Sequence, residues 1–208
     1  MCLEQYILNH IDKESEILSS LYRDAHVNLL RPRMLSGHLQ GRILKMFCRM
    51  CNPSYILEIG TYTGYATLCM AEGIQENAEI HTIEINDELE DFILKHINNS
   101  PYQSKIHLHI GDAMQIVPQL NITFDMVFID ADKRLYSDYY DLVFDKVKKG
   151  GLIIADNTLW DEKVLKTPHH TDLQTIEIIN FNDKIATDKR VEKVILPVRD
   201  GLTLIWKI

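Results

Sequence analysis

Apolar residues along this chain alternate between short continuous runs and longer stretches with helical spacing. From position 55 onward the runs predict strands and the periodic stretches predict helices. The predicted strands are 55–59, 80–84, 106–110, 125–129, 151–155, 191–198 and 202–208, and the predicted helices are 65–74, 87–98, 114–120, 135–147 and 173–182. Repeated strand–helix units indicate a parallel sheet with helices on both faces, because right-handed crossovers return each helix onto the sheet.

The end of the chain departs from this alternation. Its last two apolar runs, 191–198 and 202–208, are separated only by Arg199, Asp200 and Gly201. Three residues are too few for a crossover connection, so the last two strands must form an antiparallel hairpin. We therefore expect an α/β fold with a doubly wound, mostly parallel seven-stranded sheet that ends in an antiparallel hairpin.

The residues before the first strand predict helices. Apolar positions between Leu3 and Leu21 recur at near-helical spacing, and Ser36 and Gly37 are typical of the N-cap region of a further helix. We expect a single domain over residues 1–208, with residues 1–36 as an N-terminal helical extension.

Composition and charge narrow the class of protein. The 208 residues are 46% hydrophobic and carry a net charge of −8, which allows one substantial core and disfavours broad binding to phosphate backbones. No apolar stretch is long enough to cross a bilayer and no basic leader begins the chain, so we expect a cytoplasmic protein without a membrane segment. In that compartment cysteines stay reduced, and we expect Cys48 and Cys51 to have a buried structural role.

The loops after the first two predicted strands carry the first candidate chemistry, since open α/β sheets bind ligands beyond the carboxyl ends of their strands. Glu58, Gly60 and Gly64 form an E-x-G-x-x-x-G segment, whose glycines permit a sharp turn and expose backbone N–H groups to a carboxylate. Glu84 ends the second strand, where an acidic residue can accept hydrogen bonds from both hydroxyls of a ribose. The alternatives are a plain tight turn and a solvated strand end, but the joint spacing favours an adenosine-containing cofactor.

The segment after the third predicted strand leaves two interpretations open. Asp112, or the backbone of Ala113, is placed to bind the edge of an adenine ring. Alternatively, Asp112 caps the short helix that follows it.

Three oxygen-bearing side chains follow the fourth and fifth predicted strands. Asp130 ends one strand, and Asp156 and Asn157 end the next, so the three should meet at the same edge of the sheet. Each acid alone could be a turn former, but two carboxylates with an amide carbonyl suit Mg²⁺ or another hard divalent cation such as Mn²⁺ or Ca²⁺. Lys133 lies three residues beyond Asp130 and brings an amine to the same region.

Six short segments in this order resemble a known family. They are MLSG at 34–37, LEIGTYTGYA at 57–66, IEIN at 83–86, GDA at 111–113, FIDADK at 128–133 and ADNTLW at 155–160. Together they resemble the metal-dependent O-methyltransferases of the catechol and caffeoyl-coenzyme A type, from about Met34 to the C-terminus. The resemblance implies a class I methyltransferase (Rossmann-like) fold and S-adenosylmethionine (SAM) as the cofactor.

The resemblance also implies roles for residues at the cofactor site. The positions that it assigns to SAM are Met34, Ser36, Glu58, Gly60, Glu84 and Ala113, with Glu84 on the ribose. We expect Asp130 to lie beside the cofactor as well. A serine is common in the family where Ala66 stands here, so we expect its contact with the methionine carboxylate to come from Thr67 or from the backbone.

At the metal, the resemblance implies that Asp130, Asp156 and Asn157 bind Mg²⁺ and that Lys133 deprotonates an acceptor hydroxyl. A metal that is chelated by two neighbouring acceptor oxygens fixes the reacting geometry and lowers the hydroxyl pKa. We therefore expect methylation of one hydroxyl of a small catechol-like aromatic acceptor. Trp160 and Tyr136 are predicted to lie in flanking loops, where each either stacks on the acceptor or packs partly buried.

Other functions compete with this hypothesis. Some bacterial relatives methylate a hydroxylated wobble uridine of tRNA, and a basic patch beside the cleft would favour that acceptor; its candidates are Arg31, Arg33, Lys163, Lys166 and residues 146–149. A non-catalytic cofactor-binding module is less favoured, because it need not keep a metal triad and a lysine together. We expect His169 and His170 to lie in a solvated loop with their rings pointing apart, and by analogy with bacterial relatives we expect a homodimer.

Overall fold

The computed structural model describes all residues from 1 to 208. The strands are β1 (Tyr55–Ile59), β2 (Glu79–Glu84), β3 (Ile106–Ile110), β4 (Phe124–Ile129), β5 (Val147–Asp156), β6 (Val191–Leu196) and β7 (Leu202–Lys207). The helices are α1 (Leu3–His10), α2 (Glu16–Asn28), α3 (Gly37–Cys51), α4 (Tyr65–Ala71), α5 (Glu90–Asn98), α6 (Ala113–Gln119), α7 (Tyr136–Phe144) and α8 (Leu173–Thr187). None of these helices is long and apolar enough to cross a membrane.

All seven strands form one sheet, in the order β3, β2, β1, β4, β5, β7, β6. The strands β1 to β5 pair in parallel, whereas β7 runs antiparallel to both of its neighbours, β5 and β6. This arrangement confirms the predicted parallel sheet with a terminal hairpin and is the class I methyltransferase, Rossmann-like fold. The strand order reverses between β1 and β4, and ligands of such sheets bind beside that switch point.

The main differences from the predicted elements lie around β5 and α8. β5 begins at Val147 rather than at Gly151. The exposed Lys148 and Lys149 follow the buried Val147 and interrupt the apolar run, so the pattern predicted a later start. The helix before it ends earlier than predicted, at Phe144. At the other end of the chain, α8 continues to Thr187, well beyond its predicted end at 182.

The hydrophobic core consists of two layers, one on each face of the sheet. Successive residues of a strand point to opposite faces, so Ile56 packs in the layer of α2, α3, α4 and α5 while Leu57 packs in the layer of α6, α7 and α8. Helix α2 buries Leu18, Leu21 and Ala25 in the first layer, whereas α1 buries no residue. The second half of the predicted N-terminal extension therefore packs into the core.

Gly60 brings the ends of β1 and β4 into direct backbone contact. Its φ is +99°, and a Cβ atom built on it would lie 2.1 Å from the backbone oxygen of Asp130. The backbone N–H of Asp130 donates to the oxygen of Ile59 at 2.9 Å, and that of Gly60 donates to the oxygen of Ile83 at 3.0 Å. A side chain at position 60 would therefore separate the loops that follow the central strands.

This contact predicts that Gly60→Ala is far more destabilising than the matched variant Gly64→Ala. Gly64 also has a positive φ, +80°, but its Cβ atom would meet only a methyl carbon of Ile93, at 3.7 Å. We expect Gly64→Ala to cost about 1 kcal/mol of unfolding free energy from backbone strain alone. Gly60→Ala adds a clash with backbone and should cost roughly 3 kcal/mol or more. Thermal unfolding of both variants measures the difference, and equal Tm values would contradict it.

Candidate functional site

A cavity of about 750 Å³ opens at the carboxyl ends of the strands, beside the switch point. Among the residues that line it are Met34, Ser36, Gly60, Glu84, Ala113, Asp130, Lys133, Asp156 and Asn157. The structure therefore brings together every predicted site residue except Glu58 and Asp112. Ser36 precedes α3 as expected, but its side chain makes no capping hydrogen bond.

Glu84 is held in a fixed orientation at the end of β2. One carboxylate oxygen accepts a hydrogen bond from the backbone N–H of Tyr62 at 2.7 Å, and the other accepts from that of Asn86 at 2.9 Å. The side chain is largely buried but lines the cavity. Each carboxylate oxygen has capacity for a second hydrogen bond, so Glu84 can accept from a pair of hydroxyls.

Glu58 lies beneath the cavity rather than in its wall. Its Oε2 atom accepts hydrogen bonds from the hydroxyls of Thr67 and Thr82, while the fully buried Oε1 atom has no partner. Burial raises the pKa of Glu58 to about 8, although the two threonine hydrogen bonds oppose the shift. Thr67 is buried against Glu58 and does not line the cavity, so of the two expected replacements for the family serine only the backbone has access.

Asp112 caps α6, as one of its two interpretations predicts. Its Oδ1 atom accepts a hydrogen bond from the backbone N–H of Met114 at 2.9 Å. The neighbouring residues Gly111 and Ala113 line the cavity, and the Asp112 side chain does not. At this position the backbone, rather than the carboxylate, is available to a ligand.

Asp130 and Asp156 form a pair of carboxylates at the ends of β4 and β5. Asp156 is only 3% exposed, and it accepts hydrogen bonds from Nε2 of Gln40 at 2.5 Å and from the backbone N–H of Asn157 at 2.8 Å. Burial and the nearby charge of Asp130 raise the pKa of Asp156 above its usual range. Two crowded carboxylates are electrostatically unfavourable alone, and a divalent cation between them would relieve the repulsion.

Asn157 supplies a third oxygen beside this pair. Its φ is +57°, a left-handed conformation that asparagine tolerates better than most residues do. The residue lines the cavity, and its side-chain amide has no hydrogen-bond partner within the chain. The donor set of two carboxylates and one amide carbonyl fits a hard divalent cation.

Lys133 is buried between Asp130 and Tyr136. Its Nζ atom donates to Oδ1 of Asp130 at 2.9 Å and to the hydroxyl of Tyr136 at 2.5 Å. The Tyr136 hydroxyl donates in turn to the backbone oxygen of Asp156 at 2.8 Å. Burial raises the pKa of Tyr136 well above its ordinary value, so the hydroxyl keeps the proton that it donates. The amine is therefore anchored to both strand ends that carry the carboxylates.

Two polar residues of this site were not correctly predicted from the sequence. Tyr136 was assigned to a loop, and Gln40 was not recognised as a site residue. Tyr136 begins α7 and is fully buried, so its predicted loop position was wrong, and of its two interpretations packing holds rather than stacking on the acceptor. Its i,i+3 spacing from Lys133 was an available signal. Gln40 stands four residues before the buried Leu44 on α3, and a polar side chain on that buried face indicates a specific partner.

Trp160 lies in a backbone-strained loop after β5. It lines the cavity, and its buried indole Nε1 atom has no hydrogen-bond partner. Trp160, Asp161 and Glu162 all have positive φ values, and strain of this kind concentrates at functional sites. Farther along, His169 and His170 are exposed in a loop, as expected, but their rings lie 4.2 Å apart between centroids, so the expectation that the rings point apart was wrong.

Only part of the proposed basic patch reaches the cavity. Arg31 and Arg33 line it. Residues 146–149 lie instead at the start of β5, the opposite end of the strand from Asp156, and Lys148 forms an ion pair with Asp125 there. The lysine cluster therefore does not lie beside the site.

Comparison with known proteins identifies the family. The model of the O-methyltransferase family matches residues 9–208, and the chain belongs to that family. It is 32% identical to a Dictyostelium discoideum protein named "Probable caffeoyl-CoA O-methyltransferase 2", over 98% of this chain and 90% of that one. The structure superposes with a TM-score of 0.91 on SAH-bound methyltransferase PaMTH1 of Podospora anserina (25% identity; 99% and 94% of the two chains). The TM-score is also 0.91 with O-methyltransferase TomG of Streptomyces achromogenes in complex with SAM (25% identity; 99% and 95%). This chain is accordingly an O-methyltransferase.

The buried Glu58 predicts a pH dependence of stability. Its carboxyl group stays protonated up to about pH 8 when folded, whereas its ordinary pKa is 4.5, so between these values the folded state holds a proton that the unfolded state has lost. Stability from this group is complete below pH 4.5 and declines as pH rises through 8. The Tm of Glu58→Gln minus that of the wild type should therefore increase from pH 5 to pH 8.5. The exposed Glu90→Gln serves as the control, and a pH-independent difference for Glu58→Gln would refute the prediction.

Proposed function

We propose that this enzyme transfers the methyl group of SAM to one hydroxyl of a small aromatic vicinal diol, with a divalent cation such as Mg²⁺ at Asp130, Asp156 and Asn157. The observation that carries the proposal is the position of these three oxygen donors and Lys133 in the same cavity that Gly60 and Glu84 line. A protein that only bound a nucleoside would need Gly60 and Glu84 but would have no use for the three oxygen donors and Lys133 beside them.

The cofactor half of the cavity supports SAM. Two similar proteins were solved with SAM or SAH, and Glu84 is oriented to accept hydrogen bonds from the two ribose hydroxyls. The methionine carboxylate would lie beside the loop after β1, where Gly60 and Tyr62 line the cavity, although the N–H groups of both residues already donate to Ile83 and Glu84. Met34, Ser36 and Ala113 line the same cavity and would enclose the remainder of the cofactor.

The metal half of the cavity supports a chelated diol. When bound, a hard cation would hold two neighbouring acceptor oxygens and lower the pKa of the hydroxyl that is methylated. Asp130, Asp156 and Asn157 would hold that cation, with Gln40 fixing the orientation of the Asp156 carboxylate. Positioning is the main contribution, because methyl transfer needs the oxygen, carbon and sulfur atoms in line at close range.

Lys133 is the residue that we assign to the proton of the acceptor hydroxyl. Its amine lies in the cavity wall and next to Asp130, so in its neutral form it can receive that proton as the oxygen attacks the methyl group. Tyr136 is a positioning residue, because its hydroxyl touches Lys133 and not the cavity.

The residues of the cavity wall and the names of the relatives limit the chemical class of the acceptor. The Dictyostelium relative is named for caffeoyl-CoA, which joins an aromatic vicinal diol to a phosphate-bearing carrier. The indole of Trp160 lines the cavity and offers a face for stacking. Arg31 and Arg33 at the same cavity could contact the phosphates of such a thioester.

A homodimer is part of the proposal. Helix α1 has no buried residue, and it exposes the apolar side chains of Leu3 and Tyr6. A second copy of the chain would cover these residues.

Labelled methyl transfer tests the proposed reaction. With methyl-labelled SAM and Mg²⁺, we expect mass spectrometry to show methylation of catechol or of caffeoyl-CoA, and none of phenol, which has a single hydroxyl. EDTA should abolish the reaction and Mg²⁺ should restore it. Asp156→Ala should remove most of the turnover because it loses a cation ligand, whereas Asp138→Asn, an exposed acid on α7, should not.

Two results of this experiment would contradict the proposal. Full activity after exhaustive chelation would exclude the metal-dependent mechanism. Methylation of tRNA without methylation of any diol would show that the acceptor is RNA.

The anchored amine predicts that Lys133→Met lowers kcat by roughly a hundredfold or more, since general-base contributions are typically 10²–10⁴-fold. SAM affinity should stay within a few-fold, because the cofactor contacts lie elsewhere. Tyr136→Phe should lower kcat less and should shift the pH–rate profile, because the amine remains but loses its anchor. Lys184→Met, which removes a surface partner of Asp141, is the control. Near wild-type kcat in Lys133→Met would remove the lysine from the mechanism.

A further inference from the structure

A histidine-rich cluster lies on β2 and β3, away from the cavity. Glu79 and His81 are two residues apart on β2, and His107 and His109 are two residues apart on β3. The strand register places His81 directly beside His107. Because residues two apart on a strand share a face, all four side chains lie on the same face of the sheet.

Three of these side chains have the spacing of ligands around one metal ion. Oε2 of Glu79 lies 3.6 Å from Nε2 of His81 and 3.3 Å from Nε2 of His107. The ligand atoms of the three residues all lie within 4.8 Å of one another. A tetrahedral zinc site with bonds of about 2.0–2.1 Å separates its ligand atoms by about 3.3–3.4 Å. The two separations from Glu79 are already close to that geometry.

His81 is the fixed member of the cluster. It is 7% exposed, and its buried Nε2 atom, directed toward Glu79, has no hydrogen-bond partner. Its Nδ1 atom lies 3.1 Å from Nε2 of His109, a contact that leaves the other ring nitrogen available as a ligand. Burial, with the neighbouring His107 and His109, lowers the pKa of His81 to about 4, so the ring is neutral at pH 7.

We propose that Glu79, His81 and His107 bind a first-row transition metal ion, Zn²⁺ by preference, with water as the fourth ligand. Two imidazoles and a carboxylate suit Zn²⁺, whereas an all-oxygen set suits Mg²⁺. This site is separate from the proposed catalytic site, because Glu79 begins β2 and Glu84 ends it at the cavity. His109 does not bind the ion in this proposal but contacts Nδ1 of His81 and so orients that ring.

The bound ion would connect an edge strand to the rest of the sheet. β3 is the outermost strand and pairs only with β2, so a ligand from each strand adds a second link between them. The rings of His81 and His107 lie 23° from parallel, and binding requires one of them to turn. The half-exposed His107 side chain has the freedom to do so, whereas His81 does not.

The test uses full-length, tag-free protein that carries Asp156→Ala, so that the oxygen site at the cavity does not contribute. After EDTA treatment and dialysis, titration with Co²⁺ should give the visible absorption of a tetrahedral site at one equivalent, and Zn²⁺ should displace it. Millimolar Mg²⁺ should not displace the Co²⁺. Zn²⁺ should also raise the Tm, since it binds the folded state.

Variants of the exposed ligands decide the assignment without risk to the core. His107→Ala and Glu79→Gln should remove the tetrahedral signal and the rise in Tm, and His109→Ala should weaken Zn²⁺ binding by roughly 10–100-fold. His170→Ala, an exposed histidine elsewhere, is the matched control and should change nothing. An unchanged Co²⁺ spectrum and Zn²⁺ affinity in His107→Ala would overturn the proposal, as would the absence of tetrahedral Co²⁺ absorption in the parent protein. Neither outcome bears on methyl transfer at the cavity.

Discussion

The backbone contact between Gly60 and Asp130 is the constraint on which the rest of the site depends. Parallel pairing of β1 with β4 places the ends of both strands side by side, and the missing side chain at position 60 lets their loops touch. One loop leads to the residues that we assign to the cofactor, and the other begins with the residue that we assign to the metal. Methyl donor and acceptor oxygen can meet only if these loops stay in contact.

Much of this arrangement follows from local sequence. Apolar residues recur with a different period in strands than in helices, and their alternation along the chain identifies the parallel sheet. The connection of three residues between the last two strands requires a hairpin. In a parallel sheet the carboxyl ends of all strands lie at the same edge, so the residues that follow the strands can be placed at that edge from the sequence. That is why Asp130, Asp156 and Asn157, far apart in the sequence, could be predicted to lie at one cavity before any contact was seen.

The rest of the site depends on contacts that no local pattern contains. Gln40 reaches Asp156 across 116 positions of sequence, and Tyr136 connects Lys133 to β5 from within a buried helix. Glu58 belongs to a family motif at the cofactor loop, yet its carboxylate lies below the cavity among threonine hydroxyls. Motifs predicted which residues gather here, but the tertiary packing determines which of them a ligand can touch.

The most direct test of the account is whether the methyl group of SAM and the metal occupy the same cavity. In NMR spectra of the enzyme with SAM carrying a ¹³C-labelled methyl group, paramagnetic Mn²⁺ should strongly broaden the methyl signal, whereas Mg²⁺ should not. Asp156→Ala should abolish the broadening while SAM still binds. A methyl signal as sharp with saturating Mn²⁺ as with Mg²⁺, in wild-type enzyme that has bound SAM, would contradict the shared site.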